Sequence, residues 1–128
     1  MKKIFSILAI VLLFAGFLAN SGCKKKTDFD IRGTWYFTLT LLGDDYDYVY
    51  DFIGDRGSGD VLWEGLELGT YSVSGDIVNI TMEYYDQDDD YTVEVYRGYF
   101  DSDSQMSGSM TITVEGYQSV SGSWYAVR

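Results

Sequence analysis

Ile31-Arg32-Gly33-Thr34-Trp35-Tyr36-Phe37-Thr38-Leu39-Thr40-Leu41-Leu42 alternates between apolar and polar side chains along most of its length. Trp35, Phe37, Leu39 and Leu41 fall on one side of an extended chain and Thr34, Tyr36, Thr38 and Thr40 on the other, which is the period of a strand with one buried face. The stretch Val120-Ser121-Gly122-Ser123-Trp124-Tyr125-Ala126-Val127-Arg128 has the same character, with Trp124, Ala126 and Arg128 sharing a face. If only strands lie between these two segments, they can pair with each other and close a barrel.

The interval supports that reading. Strand-like segments are expected at 46–53, 60–64, 68–73, 77–85, 91–100 and 105–114, which with 32–42 and 120–128 make eight. In the second, Tyr46, Tyr48, Tyr50 and Phe52 share one face and Asp47 and Asp51 the other. The third sets Val61 beside Trp63, and the fourth sets Tyr71 beside Val73. The fifth aligns Val78, Ile80, Met82 and Tyr84, and the seventh Met106, Gly108, Met110, Ile112 and Val114. In the sixth, Val93 and Val95 read as inward, which would carry Arg97 inside unless a bulge near Arg97-Gly98 turned it out. Turn formers at 43–45, 54–59, 65–67, 74–76, 86–90 and 115–118 separate the segments. Such short connections make sequence neighbours antiparallel neighbours in space. The expected fold is all-β: a single small eight-stranded antiparallel up-and-down β-barrel over residues 31–128, preceded by a helical signal segment.

Composition agrees and narrows the partners. The chain of 128 residues is one domain in size, with 12 Tyr, 7 Phe and 3 Trp and no Pro, a balance that suits half-buried pleated surfaces. The formal charge is −11. Lys2 and Lys3 precede the apolar run at 4–19, whereas every acidic side chain follows it. Nucleic acid and anionic lipid head groups are therefore poor partners, so no nucleic acid is expected, while cations, cationic proteins and neutral apolar ligands remain open.

The apolar run is shorter than the roughly 18 residues of a spanning helix and ends in Ser21-Gly22, directly before Cys23, the only cysteine. This resembles the lipobox of bacterial lipoproteins, with Asn20 where that pattern usually has Leu. The resemblance implies that residues 1–22 are a lipoprotein signal peptide and that Cys23 becomes the acylated first residue of the mature chain. Residues 23–30 then form the lipidated Cys and a polar tether, and contact with the membrane is through the lipid anchor only. Lys24 stands where an Asp would mark inner-membrane retention in enterobacterial lipoproteins, so the resemblance implies the bacterial cell envelope and its outer membrane.

Gly33-Thr34-Trp35 near the start of the first strand resembles the Gly-x-Trp signature of the lipocalins and their calycin relatives. In that superfamily a basic side chain from the last strand lies across the Trp and plugs one end of the barrel. The resemblance implies this closure role for Gly33, Trp35 and Arg128. The domain is shorter than typical lipocalins, with no disulfide and no C-terminal helix, so the expectation is a small lipocalin-like domain.

Most catalytic schemes fail on inventory. There is no His, so the sequence can build no Ser-His, Cys-His or His-zinc arrangement, and the carboxylates read as lying at turns or on outward faces. The protein is expected not to be an enzyme. Asp86, Asp88 and Asp90 have the 1, 3, 5 spacing of a calcium loop, but Tyr91 replaces the required Gly and Arg97 the closing Glu. No metal and no cofactor are expected.

The stripe Tyr46, Tyr48, Tyr50 and Phe52, with Trp63, Tyr71, Tyr84, Met106 and Met110, reads either as the wall of a ligand cavity or as the packing of a filled core. The leading expectation is an envelope-tethered lipoprotein that binds a small apolar or amphipathic ligand in its barrel. Two alternatives stand beside it. One is an acidic module that docks a cationic protein, as lysozyme-inhibiting periplasmic lipoproteins do, although the sequence names no protein partner. The other is a structural envelope lipoprotein with a filled core.

Overall fold

The computed structural model describes residues 29–128. The expected helical signal segment, Cys23 and most of the tether lie outside them. Eight strands follow in order: β1 (Gly33–Leu41), β2 (Asp44–Gly54), β3 (Ser58–Trp63), β4 (Leu66–Ser74), β5 (Ile77–Tyr85), β6 (Tyr91–Ser102), β7 (Gln105–Val114) and β8 (Val120–Val127). They form a closed antiparallel barrel in which each strand pairs with its neighbours in sequence. The seam joins β1 to β8, with Tyr36 opposite Val127, Phe37 opposite Ala126 and Leu39 opposite Trp124.

Two hairpins are tighter than their turn residues suggest. Leu42-Gly43 and Glu64-Gly65 all take positive φ, at 53° and 85° and at 51° and 82°. That combination makes a two-residue turn whose twist matches the strands it joins. Asp44 and Asp45 therefore belong to β2, and Leu66 and Glu67 to β4. The register slips between Val61 and Leu62, where Val61 pairs with Gly69 but Leu62 with Glu67. A bulge at Leu68 absorbs the extra residue.

The expected face of β6 is corrected. Thr92, Glu94, Tyr96, Gly98 and Phe100 are its buried residues, and Arg97 is exposed. Val93 and Val95 thus face outward with Arg97, and no bulge is needed there. Pairing with β5 runs unbroken from Ile77 opposite Tyr99 to Tyr85 opposite Tyr91, and the irregularity against β7 falls between Phe100 and Ser102. The physical reason is area: Tyr96 and Phe100 bury more apolar surface than two valines, so their face is the one turned inward.

The up-and-down path puts the β2–β3, β4–β5 and β6–β7 connections at the end where β1 begins and β8 finishes. The other four connections surround the opposite end. The first end and the middle are packed with aromatic rings. Phe37 is central, stacked on Trp124 at 5.2 Å between centroids and on Phe52 at 6.0 Å, and met edge-on by Tyr50 at 5.1 Å and Tyr96 at 5.9 Å. Trp35 meets Phe100 edge-on, and Phe29 stacks on Phe100 from outside the strands. Both buried indoles have acceptors for their N–H groups: Trp35 donates to the carbonyl of Ile31 at 2.7 Å and Trp124 to that of Ser109 at 2.9 Å. Gly98 is required here, because a Cβ on it would stand 2.1 Å from the Ser107 carbonyl oxygen and 2.8 Å from the Trp124 ring.

Outside the barrel, β1 and β2 are laced by threonines donating to the aspartates directly across the pair. Thr34 reaches Asp51 at 2.5 Å, Thr38 reaches Asp47 at 2.9 Å and Thr40 reaches Asp45 at 2.7 Å. Part of the negative charge is thereby fixed into the sheet surface as cross-strand pairs.

Candidate ligand-binding site

The closure residues meet at the packed end. The guanidinium carbon of Arg128 lies 4.4 Å from the centre of the Trp35 ring. Its Nε donates to the carbonyl of Asp103 at 2.9 Å and its Nη1 to that of Arg32 at 3.0 Å. Gly33, at φ 118°, starts β1 under this cap, and a Cβ on it would lie 4.0 Å from Nη1. Beside them Arg32 donates two bonds to the Asp30 carboxylate, at 2.9 and 2.7 Å. The Arg32 guanidinium, mainly through these bonds, holds the Asp30 carboxyl well below the usual range.

The opposite end is open. A pocket of about 550 Å³ enters it between β2, the β3–β4 hairpin and the β5–β6 connection. Tyr48, Trp63, Leu66 and Leu68 supply its apolar walls, Asp86 and Gln87 its rim, and Tyr50, Tyr84 and Glu94 its floor. The sequence stripe thus divides. Tyr48, Tyr50, Trp63 and Tyr84 line the pocket, whereas Phe52, Tyr71, Met106 and Met110 are buried in the core cluster. Tyr46, opposite Leu39, is largely exposed beyond the lining. A larger groove of about 720 Å³ crosses the outer faces of β1, β2 and β8 past Tyr36, Val49, Tyr125 and Val127. We place the site at the mouth, because only there do interior side chains and a buried carboxylate converge.

That carboxylate, Glu94, is the residue sequence reasoning missed. It is 6% exposed, and both of its oxygens accept hydrogen bonds. Tyr96 donates to Oε1 at 2.5 Å, and the Tyr84 hydroxyl donates to Oε2. Burial first, and the carboxylate second, push the Tyr84 phenol far above its ordinary value. Burial likewise raises Tyr96 and Tyr50, with the Glu94 charge adding to both. At neutral pH the phenols therefore stay protonated, as donors and as uncharged aromatic surface. A signal for Glu94 was present in the sequence: the alternation Glu94, Tyr96, Gly98, Phe100 carries the larger rings and leaves Arg97 outside with no bulge.

The acidic connection above the mouth is organised by its own first residue. Asp86 Oδ1 accepts the backbone amides of Asp88 at 2.9 Å and Asp90 at 3.0 Å. The loop closes with the Asp86 amide donating to the Asp90 carbonyl at 3.0 Å. This is the local side-chain turn that Asp favours.

No family model and no curated protein matches the chain. Solved structures share its fold. One, EF1p2_mFAP2b bound to DFHBI, superposes with a TM-score of 0.62 at 16% identity, covering 77% of this chain and 93% of that one. A redesigned β-barrel, b11L5F_LGL, superposes with a TM-score of 0.55 at 17% identity, covering 77% of this chain and 90% of that one. At such identities the likeness is one of fold.

Proposed function

We propose that this protein is an envelope-tethered lipoprotein whose lipocalin-like barrel binds a small apolar or amphipathic molecule at its open mouth. The observation that carries the reading is the unequal filling of the barrel. Rings and methionines pack one end and the middle, while the other end keeps a pocket of about 550 Å³, within the size range of small-ligand sites. Its walls are aromatic and aliphatic, Asp86 and Gln87 stand at its rim, and Glu94 with the Tyr84 hydroxyl sits on its floor, where the two can orient a guest. The barrel with which it shares a fold is bound to DFHBI, which supports the capacity of such a fold to carry a small guest.

The reading is of a binding protein, not an enzyme. Glu94 is the one interior carboxylate among the described residues, and glycoside hydrolysis needs two converging on the bond to be cut. Acyl chains on Cys23 would hold the barrel at the outer membrane by a short polar segment. Native mass spectrometry of protein isolated from membranes tests the binding function. The expected spectrum shows the acylated chain with one small molecule bound non-covalently. An unliganded mass throughout, together with no uptake of the neutral probe Nile red, would overturn it.

A further inference from the structure

We infer that the guest of the mouth pocket carries a positive charge, an ammonium or similar cationic group seated against Glu94. This rests on the reading of the mouth as a ligand site and specifies the chemistry of what enters. A carboxylate offers about four lone-pair positions, and Tyr84 and Tyr96 occupy one on each oxygen. The remaining capacity faces a pocket that Glu94 lines.

Among the described residues, nothing cationic lines that pocket. Arg32 and Arg56 are drawn to Asp30 and Arg128 to Trp35, at the far end of the barrel. Arg97 lies on the outer face of β6. A buried carboxylate supported by neutral hydroxyls alone is costly, and an opposite charge arriving in the same low-dielectric space offsets that cost.

The walls select in the same direction. Tyr48 and Trp63 on the walls and Tyr50 on the floor surround the space with aromatic rings, and a desolvated cation is attracted to such rings where it meets their faces. Asp86 at the rim adds a negative charge, so an anion would meet repulsion at the entrance and again at the floor. The net charge of −11 concentrates cations near the protein and depletes anions. A bare metal ion does not fit, because hard cations need six or more oxygen ligands and these walls are apolar. An amine on an aromatic or aliphatic body satisfies floor and walls together.

Calorimetry at neutral pH with three probes of similar shape tests this: 1-naphthylmethylamine, 1-naphthylmethanol and 1-naphthoate. The expected order is amine, then alcohol, then carboxylate, with the amine at least about tenfold tighter than the alcohol, as a charge-assisted hydrogen bond provides. Glu94→Gln should abolish the preference for the amine and keep binding of the alcohol. Equal affinity for all three probes, or an amine preference that survives in Glu94→Gln, would overturn the inference and leave the pocket reading intact. Binding of none of the three would instead remove the pocket reading itself. Should Glu94→Gln not fold, Asp86→Asn is the second variant: an amine preference that survives it supports seating on the floor, and one abolished by it overturns the seating against Glu94.

Discussion

The Arg128 guanidinium lies over the Trp35 ring at 4.4 Å, tying the end of the closing strand to the start of the first. Arg128 is otherwise solvent-exposed, so the cation–π contribution belongs at the lower end, about 0.5–1 kcal/mol. Trp35 is fully buried, and Trp35→Ala should cost about 3–5 kcal/mol. Arg128→Lys should be milder than Arg128→Ala, since Lys keeps the charge but loses the flat stacking surface and the forked bonds to Asp103 and Arg32. A double-mutant cycle by urea unfolding should return a positive coupling. Zero coupling would mean that the cap contributes nothing to closure.

Removing one donor from the buried carboxylate should hurt more than its size suggests. Tyr96→Phe leaves Glu94 with the Tyr84 hydroxyl alone, at an expected cost of about 1.5–3 kcal/mol. Combining it with Glu94→Leu should recover part of that loss, because no underpartnered charge is then left inside. Denaturant unfolding reads both. A Tyr96→Phe effect below about 0.5 kcal/mol would show that the network is not holding Glu94.

The interior phenols make a prediction for alkaline solution. Tyr50, Tyr84 and Tyr96 are raised above the ordinary 10.0, chiefly by burial. Their contribution to stability is therefore fully present below pH 10.0 and declines above it, where the unfolded chain ionises first and the folded one does not. Near-ultraviolet titration at about pH 11 should show tyrosinate absorbance short of the full count while circular dichroism stays native. Ionisation of every tyrosine with the fold intact would contradict the burial assigned to these three.

The proposed anchor has its own test. Only a thiol can receive the diacylglyceryl group, so Cys23→Ser should abolish labelling by radioactive palmitate and release the protein from membranes. Labelling that persists in the variant would remove the lipid anchor from the account.

Strand positions were legible because alternation is strong and turns are marked. β5 and β7 have the expected limits, and the pairing of β1 with β8 follows from two similar segments at the ends of an even number of antiparallel strands. The hairpins at Leu42 and Glu64 were harder to read, because neither residue type advertises positive φ. In β6 the two valines carried the β signal while the larger rings lay on the other face, so the inward carboxylate went unseen. Periodicity could group the stripe from Tyr46 to Phe52 but could not say where along the barrel axis packing stops. That limit depends on which rings arrive from the other strands, as Phe37 and Trp124 do beside Phe52.

Whether the barrel is packed at one end and open to a guest at the other is read by titrating Nile red into the protein and into its Leu68→Trp variant. Leu68 is a pocket wall set against the edge of the core, so the larger indole should fill the mouth and leave the packed end alone. Saturable, blue-shifted emission at one site per chain is expected for the unaltered protein. Binding should fall by at least about tenfold in Leu68→Trp, with the unfolding midpoint unchanged or raised. No saturable binding to the unaltered protein, or equal binding to both, would contradict the open mouth.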